Sequence, residues 1–252
     1  MHYLVLSDIH ANLEALEAVL DAAGAFDAAL VLGDLVGYGA DPNAVIDRVR
    51  SLPVAAIVRG NHDKVAARLA DADDFNQVAR DAVGWTASTL TADNHAWLAA
   101  LPKGPRPVDQ AIEICHGTPF DEDAYVFDAT DAFGALSAAA RPLCLFGHTH
   151  VPAAFRLGAG NGGVRDPRLQ FLGTSTDTTL ELDLDPRSRY LVNCGAVGQP
   201  RDGNPDAAYG IVDGEAHHVA LRRVPYDVAA AQAKIVAAGL PPVLAQRLAI
   251  GR

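Results

Sequence analysis

Short apolar runs alternate with helical periodicities through the first half of the chain. Tyr3–Leu6 is apolar and is followed by polar Ser7-Asp8. Leu13, Leu16, Val19 and Leu20 then recur on one helix face, with Asn12 placed to cap the start and Gly24 to close the end. Ala29–Leu32 reads as a second strand, ended by Gly33-Asp34. Asn43–Val49 reads as a helix after Asp41-Pro42, and Val54–Val58 as a third strand ended by Gly60-Asn61-His62. This order predicts an α/β layered domain with a largely parallel sheet. Residues 64–101 read as mostly helical and hold Trp85 and Trp97, a possible base-stacking pair or simply core. Ile112–Cys115 is a strand running into His116-Gly117, Ala132–Ala140 is helical in composition, and Leu143–Phe146 runs into Gly147-His148-Thr149-His150. From Val151 to about Ala220 alternation and dense turn signals predict antiparallel strands, with a hairpin connection or mobile loop at Gly158–Gly163. Pro225 onward is Ala-rich and predicted helical, broken at Gly239–Pro242. No linker or repeat interrupts the pattern. One domain is expected over 1–252, with a helical insertion at about 64–101 and a helical C-terminal segment at about 226–252.

The polar clusters sit where the apolar runs end. Asp8 and His10 lie two apart after the first strand, Asp34 follows the second, and Asn61 and His62 follow the third. His116 follows the fourth, and His148 and His150, again two apart, follow the fifth. In open α/β sheets ligands bind beyond the carboxyl ends of the strands, so the five ends can converge on one site. Each piece alone is ordinary: an Asp after a strand is often a cap, and Gly-Asn is a turn signal. Together they offer carboxylate oxygen, imidazole nitrogen and amide oxygen without sulfur. That mix suits Mn, Fe, Co, Ni or Zn, and its size exceeds the needs of one tetrahedral zinc, so two metals are expected.

Charge and cysteine content narrow the classes. The formal net charge of −11 weighs against sequence-independent binding to duplex DNA, although bound cations would reverse the sign locally. The three cysteines, Cys115, Cys144 and Cys194, are odd in number, widely spaced and beside apolar runs, so they are read as buried thiols. No apolar run approaches the roughly 20 residues of a membrane span, and Met1–His10 lacks a basic signal-peptide start. A cytoplasmic protein is the expectation.

S-D-I-H at Ser7–His10, G-D at Gly33-Asp34, G-N-H-D at Gly60–Asp63, C-H-G at Cys115–Gly117 and G-H-T-H at Gly147–His150 resemble the calcineurin-like metallophosphoesterases. The likeness is greatest to the small prokaryotic phosphodiesterase-like branch, and N-C-G-A-V-G-Q-P-R-D-G at Asn193–Gly203 extends it. The resemblance implies a four-layer α/β/β/α sandwich with two mixed sheets. It implies that Asp8, His10 and His150 hold one divalent metal, that Asn61, His116 and His148 hold the other, and that Asp34 bridges. His62 would be the catalytic histidine. The sequence departs at Ala11, where many members carry glycine, a sterically mild change, and at Cys194 and Ala196, which replace a proline and a serine. Gly37-Tyr38 stands where protein Ser/Thr phosphatases carry an Asp-Arg pair that orients the histidine and holds phosphate. A phosphoprotein substrate is therefore disfavoured, and His62 lacks that orienting partner.

The expected chemistry is in-line attack on phosphorus by a hydroxide bridging two metals, manganese foremost, with His62 as general acid to the leaving group. The expected substrate is a small, nucleotide-like phosphodiester, with Asn12, Tyr38 and Arg201 as candidate contacts. A dinucleoside polyphosphate hydrolase or a phosphomonoesterase would use the same site. A nuclease would want a basic groove that the sequence does not supply, and a non-catalytic scaffold need not keep all the ligands.

Overall fold

The computed structural model describes residues 1–158, 169–173, 179–215 and 217–252. Beyond Gly158, the expected Gly158–Gly163 connection lies outside the described residues. The first sheet is built on β1 (His2–Leu6), β2 (Ala28–Val31) and β3 (Val54–Ile57), which run parallel. The chain later adds β9 (Thr179–Asp183), β11 (Ala207–Asp213) and β12 (His218–Val224) antiparallel, giving the order β3-β2-β1-β11-β12-β9. The second sheet contains β4 (Arg106–Pro107), β5 (Ile112–Ile114), β6 (Leu143–Phe146), β7 (Ala153–Leu157), β8 (Leu169–Gly173) and β10 (Arg189–Asn193), in the order β4-β5-β6-β10-β7-β8.

Both sheets are mixed. The largely parallel sheet read from the strand order is confined to β1–β3 and to β5, β6 and β10. β10 lies in the stretch read as antiparallel yet runs parallel to β6. The chain reaches it from β9 in the other sheet, and alternation along a strand carries no information about direction.

Period-two alternation sets the layers. Leu4 and Leu6 of β1 face a core shared with α1 (Leu13–Ala22), α2 (Pro42–Arg50) and α5 (Ala92–Ala99). Tyr3 and Val5, pointing the other way, meet Ile112, Ile114 and Leu145 of the second sheet. That sheet's far face, with Cys144, Phe146 and Leu191, packs on α6 (Ala129–Ala138). The result is helices, sheet, sheet, helix. The stretch 64–101 resolves into α3 (Asn61–Ala66), α4 (Gln77–Thr89) and α5, and the C-terminal region into α7 (Val228–Ala237) and α8 (Pro242–Leu248). α4, α7 and α8 form a fourth cluster that also buries Tyr38. Trp97 packs on the first core beneath Arg50, and Trp85 packs on the α7–α8 cluster, so both tryptophans are structural. The three cysteines are free and buried. Among the described residues no helix is long and apolar enough to cross a membrane.

Asn12 ties two parts of this architecture together. Its side chain accepts from Ala15 N at 3.1 Å as the N-cap of α1, and its amide donates to the Gly198 carbonyl at 2.9 Å. Loss of the cap costs about 1 kcal/mol, and stranding the buried carbonyl costs roughly another 1–3 kcal/mol. Asn12→Ala is thus expected to lower urea-unfolding stability by clearly more than Thr91→Ala, which removes only the exposed N-cap of α5. Equal losses would show that the Gly198 bond contributes nothing.

Candidate metal centre

Backbone strain marks the site before any side chain is considered. Among the described residues nine non-glycine residues have positive φ, and five are predicted ligands: Asp8 (51°), His10 (49°), Asp34 (51°), His148 (67°) and His150 (61°). Ala11 (52°) and Tyr38 (62°) adjoin them. Each left-handed residue costs roughly 1–2 kcal/mol, a cost typical of functional sites. Ala11 therefore occupies a strained position, and its replacement of glycine is less mild than the sequence suggests. Close approach adds a second constraint. A Cβ on Gly60 would lie 2.1 Å from Asp34 Oδ1, so only glycine lets the β3 end pass the Asp34 carboxylate.

The strand ends of both sheets bring the donors together. Asp8, His10, Asp34 and His150 offer ligand atoms within 4.8 Å of one another, as do Asp34, His116 and His148. Asp34 belongs to both groups: its Oδ2 lies 3.6 Å from His10 Nε2 and 3.4 Å from His116 Nε2. Asn61 Oδ1 stands 3.2 Å from His116 Nε2, and Asp8 Oδ1 stands 3.3 Å from His150 Nε2. Thus all seven residues expected as ligands meet in one buried place.

Each histidine is fixed by a backbone carbonyl. Nδ1 donates from His10 to Val36 (3.0 Å), from His116 to Leu32 (2.8 Å) and from His150 to Gln199 (2.6 Å); His148 donates from Nε2 to Asp123 (3.0 Å). These bonds fix the ring orientations and, in His10, His148 and His150, leave the other nitrogen as a lone pair toward the centre, the usual support of metal-ligating imidazoles. Ser7 Oγ and the His148 amide likewise hold Asp8.

The donor set calls for a cation. His10 Nε2 and His150 Nε2 are 3.1 Å apart, yet both Nδ1 protons are already donated. Two lone pairs at that distance repel unless positive charge lies between them. Burial holds His10 and His150 well below the ordinary imidazole range and His148 down to about 3, so all three are neutral donors at pH 7. Burial opposes charge on Asp34 as well, but the charged His116 beside it outweighs burial and keeps Asp34 ionised. Burial also works against charge on His116, where the Asp34 and Asp8 carboxylates prevail and raise it to about 10. In the cation-free protein one proton on His116 stands where positive charge belongs. The residues present fit a divalent metal site.

His62 is placed differently. It lines the cleft, and its buried Nδ1 has no hydrogen-bond partner among the described residues. A Cβ at Gly37 would lie 2.4 Å from that Nδ1, so no side chain at this position could orient the ring. Packing does so instead: ring centroids of Tyr38, Phe75 and His10 stand 4.4, 4.6 and 4.9 Å away. Burial pushes His62 down to about 4, against the pull of Asp34.

A cleft of about 250 Å³ opens over the centre. Tyr38 and Arg201 line it; Arg201 stacks over Tyr38 at 5.7 Å and donates to Gln199 Oε1 at 2.9 Å. Asn12 does not line it: its side chain caps α1 and bonds the Gly198 carbonyl. The aromatic walls are Phe75 and Tyr125 rather than Trp85 and Trp97. Asp123, whose carbonyl holds His148, and Tyr125, stacked on His148 at 3.9 Å, carry no signal in the sequence. They lie in a segment with no strand or helix period to place it.

A sequence model of the calcineurin-like phosphoesterase superfamily domain matches residues 1–217. An uncharacterised protein of Methanocaldococcus jannaschii is 33% identical over 265 residues, covering 98% of this chain and 97% of its own length. A metallophosphoesterase from Sphaerobacter thermophilus superposes with a TM-score of 0.87 at 40% identity, covering 100% of this chain and 99% of that chain. A hypothetical protein from Pyrococcus horikoshii shares the fold, with a TM-score of 0.77 at 18% identity over 100% and 98% of the two chains. With the sandwich of two mixed sheets and the buried Asp/His cluster at its strand ends, these matches establish that the chain belongs to the calcineurin-like phosphoesterase superfamily.

Proposed function

We propose that this protein is a two-metal phosphodiesterase acting on small, nucleotide-like phosphate diesters, with manganese as the foremost metal. The observation that carries the reading is the 3.1 Å approach of the His10 and His150 lone pairs beside an Asp34 shared with a second donor group. Asp8, His10 and His150 would hold one cation, and Asn61, His116 and His148 the other, with Asp34 between them. When bound, two divalent cations supply an activated water nucleophile and positive charge for the phosphoryl oxygens.

The chain's own residues do the rest. Arg201, held by Tyr38 and Gln199, meets a phosphoryl oxygen at the cleft wall. The carbonyl-anchored histidines keep the site from rearranging during the reaction. His62 faces the cleft from a packed cage, where an arriving phosphate anion favours its protonated form and lets it donate to the departing alkoxide.

With Mn²⁺ at about 100 times its Kd, stability should rise by about 2.7 kcal/mol, or roughly 5–10 °C in Tm for a chain of this size. Asp34→Asn should lose both that shift and the cleavage of bis-p-nitrophenyl phosphate. A variant that kept both would remove Asp34 from the centre. Cleavage of p-nitrophenyl phosphate but not of the diester would turn the reading to a phosphomonoesterase.

Metal binding should expel the His116 proton. Titration calorimetry at pH 8 in buffers of different ionisation enthalpy is expected to show net proton release that His116→Asn abolishes; identical heats in wild type would refute it. Because the folded pKa is raised, that proton stabilises the cation-free fold fully below pH 6.5, and the contribution is lost as pH rises through about 10.

His62→Asn should keep its metals. With an alkyl leaving group it should lose about 10²–10⁴-fold in kcat, and far less with p-nitrophenol, which departs without a proton. Equal losses on both substrates would deny His62 the acid role.

A further inference from the structure

The groups that line the exposed part of the cleft carry a charge pattern the proposed chemistry does not use. Lys64 Nζ is bound by Asp123 at 2.5 Å and by Glu122 at 3.3 Å. Glu122 also accepts two bonds from Arg59, at 3.1 and 3.0 Å. Two cations and two carboxylates thus cancel in this network, of which Lys64 and Asp123 line the cleft. The turn before α4 also places Asp71 and Asp74 in the lining, both exposed, with Phe75 beside them. Among the described residues no ion pair compensates either carboxylate; Arg80, close by, donates to the carbonyls of Asp73 and Phe75 and does not line the cleft. The remaining cation of the lining, Arg201, lies beside His150 and Tyr38, at the metal end.

We propose that Asp71 and Asp74 are specificity-determining residues that restrict this protein to phosphate esters whose second arm carries no negative charge. The inference rests on the phosphodiesterase reading and deepens it. One phosphoryl group is met at the metal end by Arg201 and the donor centre. Beyond it, an arm encounters aromatic surface from Phe75 and Tyr125 and two uncompensated carboxylates. Phe75 packs on His62 at 4.6 Å and Tyr125 on His148 at 3.9 Å, so this surface is continuous with the reacting groups. An uncharged or cationic aromatic arm gains contact there. A polyphosphate chain or carboxylate that extends past the metal end meets like charge there, while Lys64 is already paired with Asp123 and Glu122. The dinucleoside polyphosphate alternative is the one this wall opposes.

The test uses three 4-nitrophenyl phosphodiesters with saturating Mn²⁺, the second arm being phenyl, 4-carboxyphenyl or 4-(trimethylammonio)phenyl. Wild type is expected to cleave the carboxylate ester with about tenfold lower kcat/KM than the phenyl ester, from two charge contacts near the surface. The trimethylammonio ester should be at least as good as the phenyl ester. The gap should shrink in about 0.5 M NaCl, as screening requires, and nearly vanish in the Asp71→Asn/Asp74→Asn double variant, whose exposed positions leave the fold intact. Equal rates for the carboxylate and phenyl esters in wild type would overturn the proposal, as would a gap that survives in the double variant. If wild type with its metals bound cleaves none of the three, the phosphodiesterase reading fails and the specificity inference falls with it.

Discussion

The structure depends on holding lone pairs and carboxylates together where water is excluded. Asp8, His10, Asp34, His116 and His150 are each at most 2% exposed, and their donor atoms stand closer than uncompensated dipoles and charges prefer. Hydrophobic packing of two sheets drives them there, since each ligand directly follows a strand whose apolar residues are buried on both faces. The left-handed turns at five of these residues are a further cost of aiming the side chains inward. The electrostatic cost diminishes when positive charge enters, so stability and cation binding are linked through the same atoms.

Rigidity comes from residues that never touch the centre. The carbonyls that fix the four histidines belong to Val36, Leu32, Gln199 and Asp123, drawn from three loops across both sheets. Asn193 donates to the Gly147 carbonyl and to Thr149, tying the end of β10 to the loop that carries His148 and His150. Tyr38 lies between Arg201 and Arg247 while its ring is buried by α4, α7 and α8. The C-terminal helices lie beyond the 1–217 span shared with the superfamily, yet they support the wall that presents Arg201. In this chain the common core supplies the metal donors, and the terminal helices help shape what surrounds them.

The parts legible in the sequence were those with a repeating physical signal. Strand runs, the amphipathic face of α1 with its Asn12 cap, and the break at Gly239–Pro242 all follow from periodicity or backbone preference. The candidate ligands were legible because each follows such a run. Strand direction was not, as β10 shows, because side-chain alternation is the same for either direction. Asp71, Asp74, Phe75, Asp123 and Tyr125 were also hidden. They sit in loops whose path is set by long-range packing, such as Phe75 against His62, and no local spacing announces them. Trp85 and Trp97 drew attention by residue type, yet burial against neighbouring helices accounts for both.

Gly37 shows how one missing side chain redirects a site. With no atom available to hold His62 Nδ1, the ring is confined by Tyr38, Phe75 and His10 alone. Packing fixes position without fixing charge, whereas a carboxylate partner would raise the imidazole pKa and hold it protonated before substrate arrived. Burial instead keeps His62 neutral in the empty cleft. A neutral imidazole beside the donor centre does not compete with cations for the same carboxylates. In the proposed reaction its charge would then be set by the phosphate that enters, so the residue would become an acid only when there is a leaving group to protonate. The same Phe75 that confines the ring adjoins Asp74 on the cleft wall. Whatever occupies that wall therefore touches the cage of His62, so recognition of the second arm and protonation of the leaving group share one set of contacts.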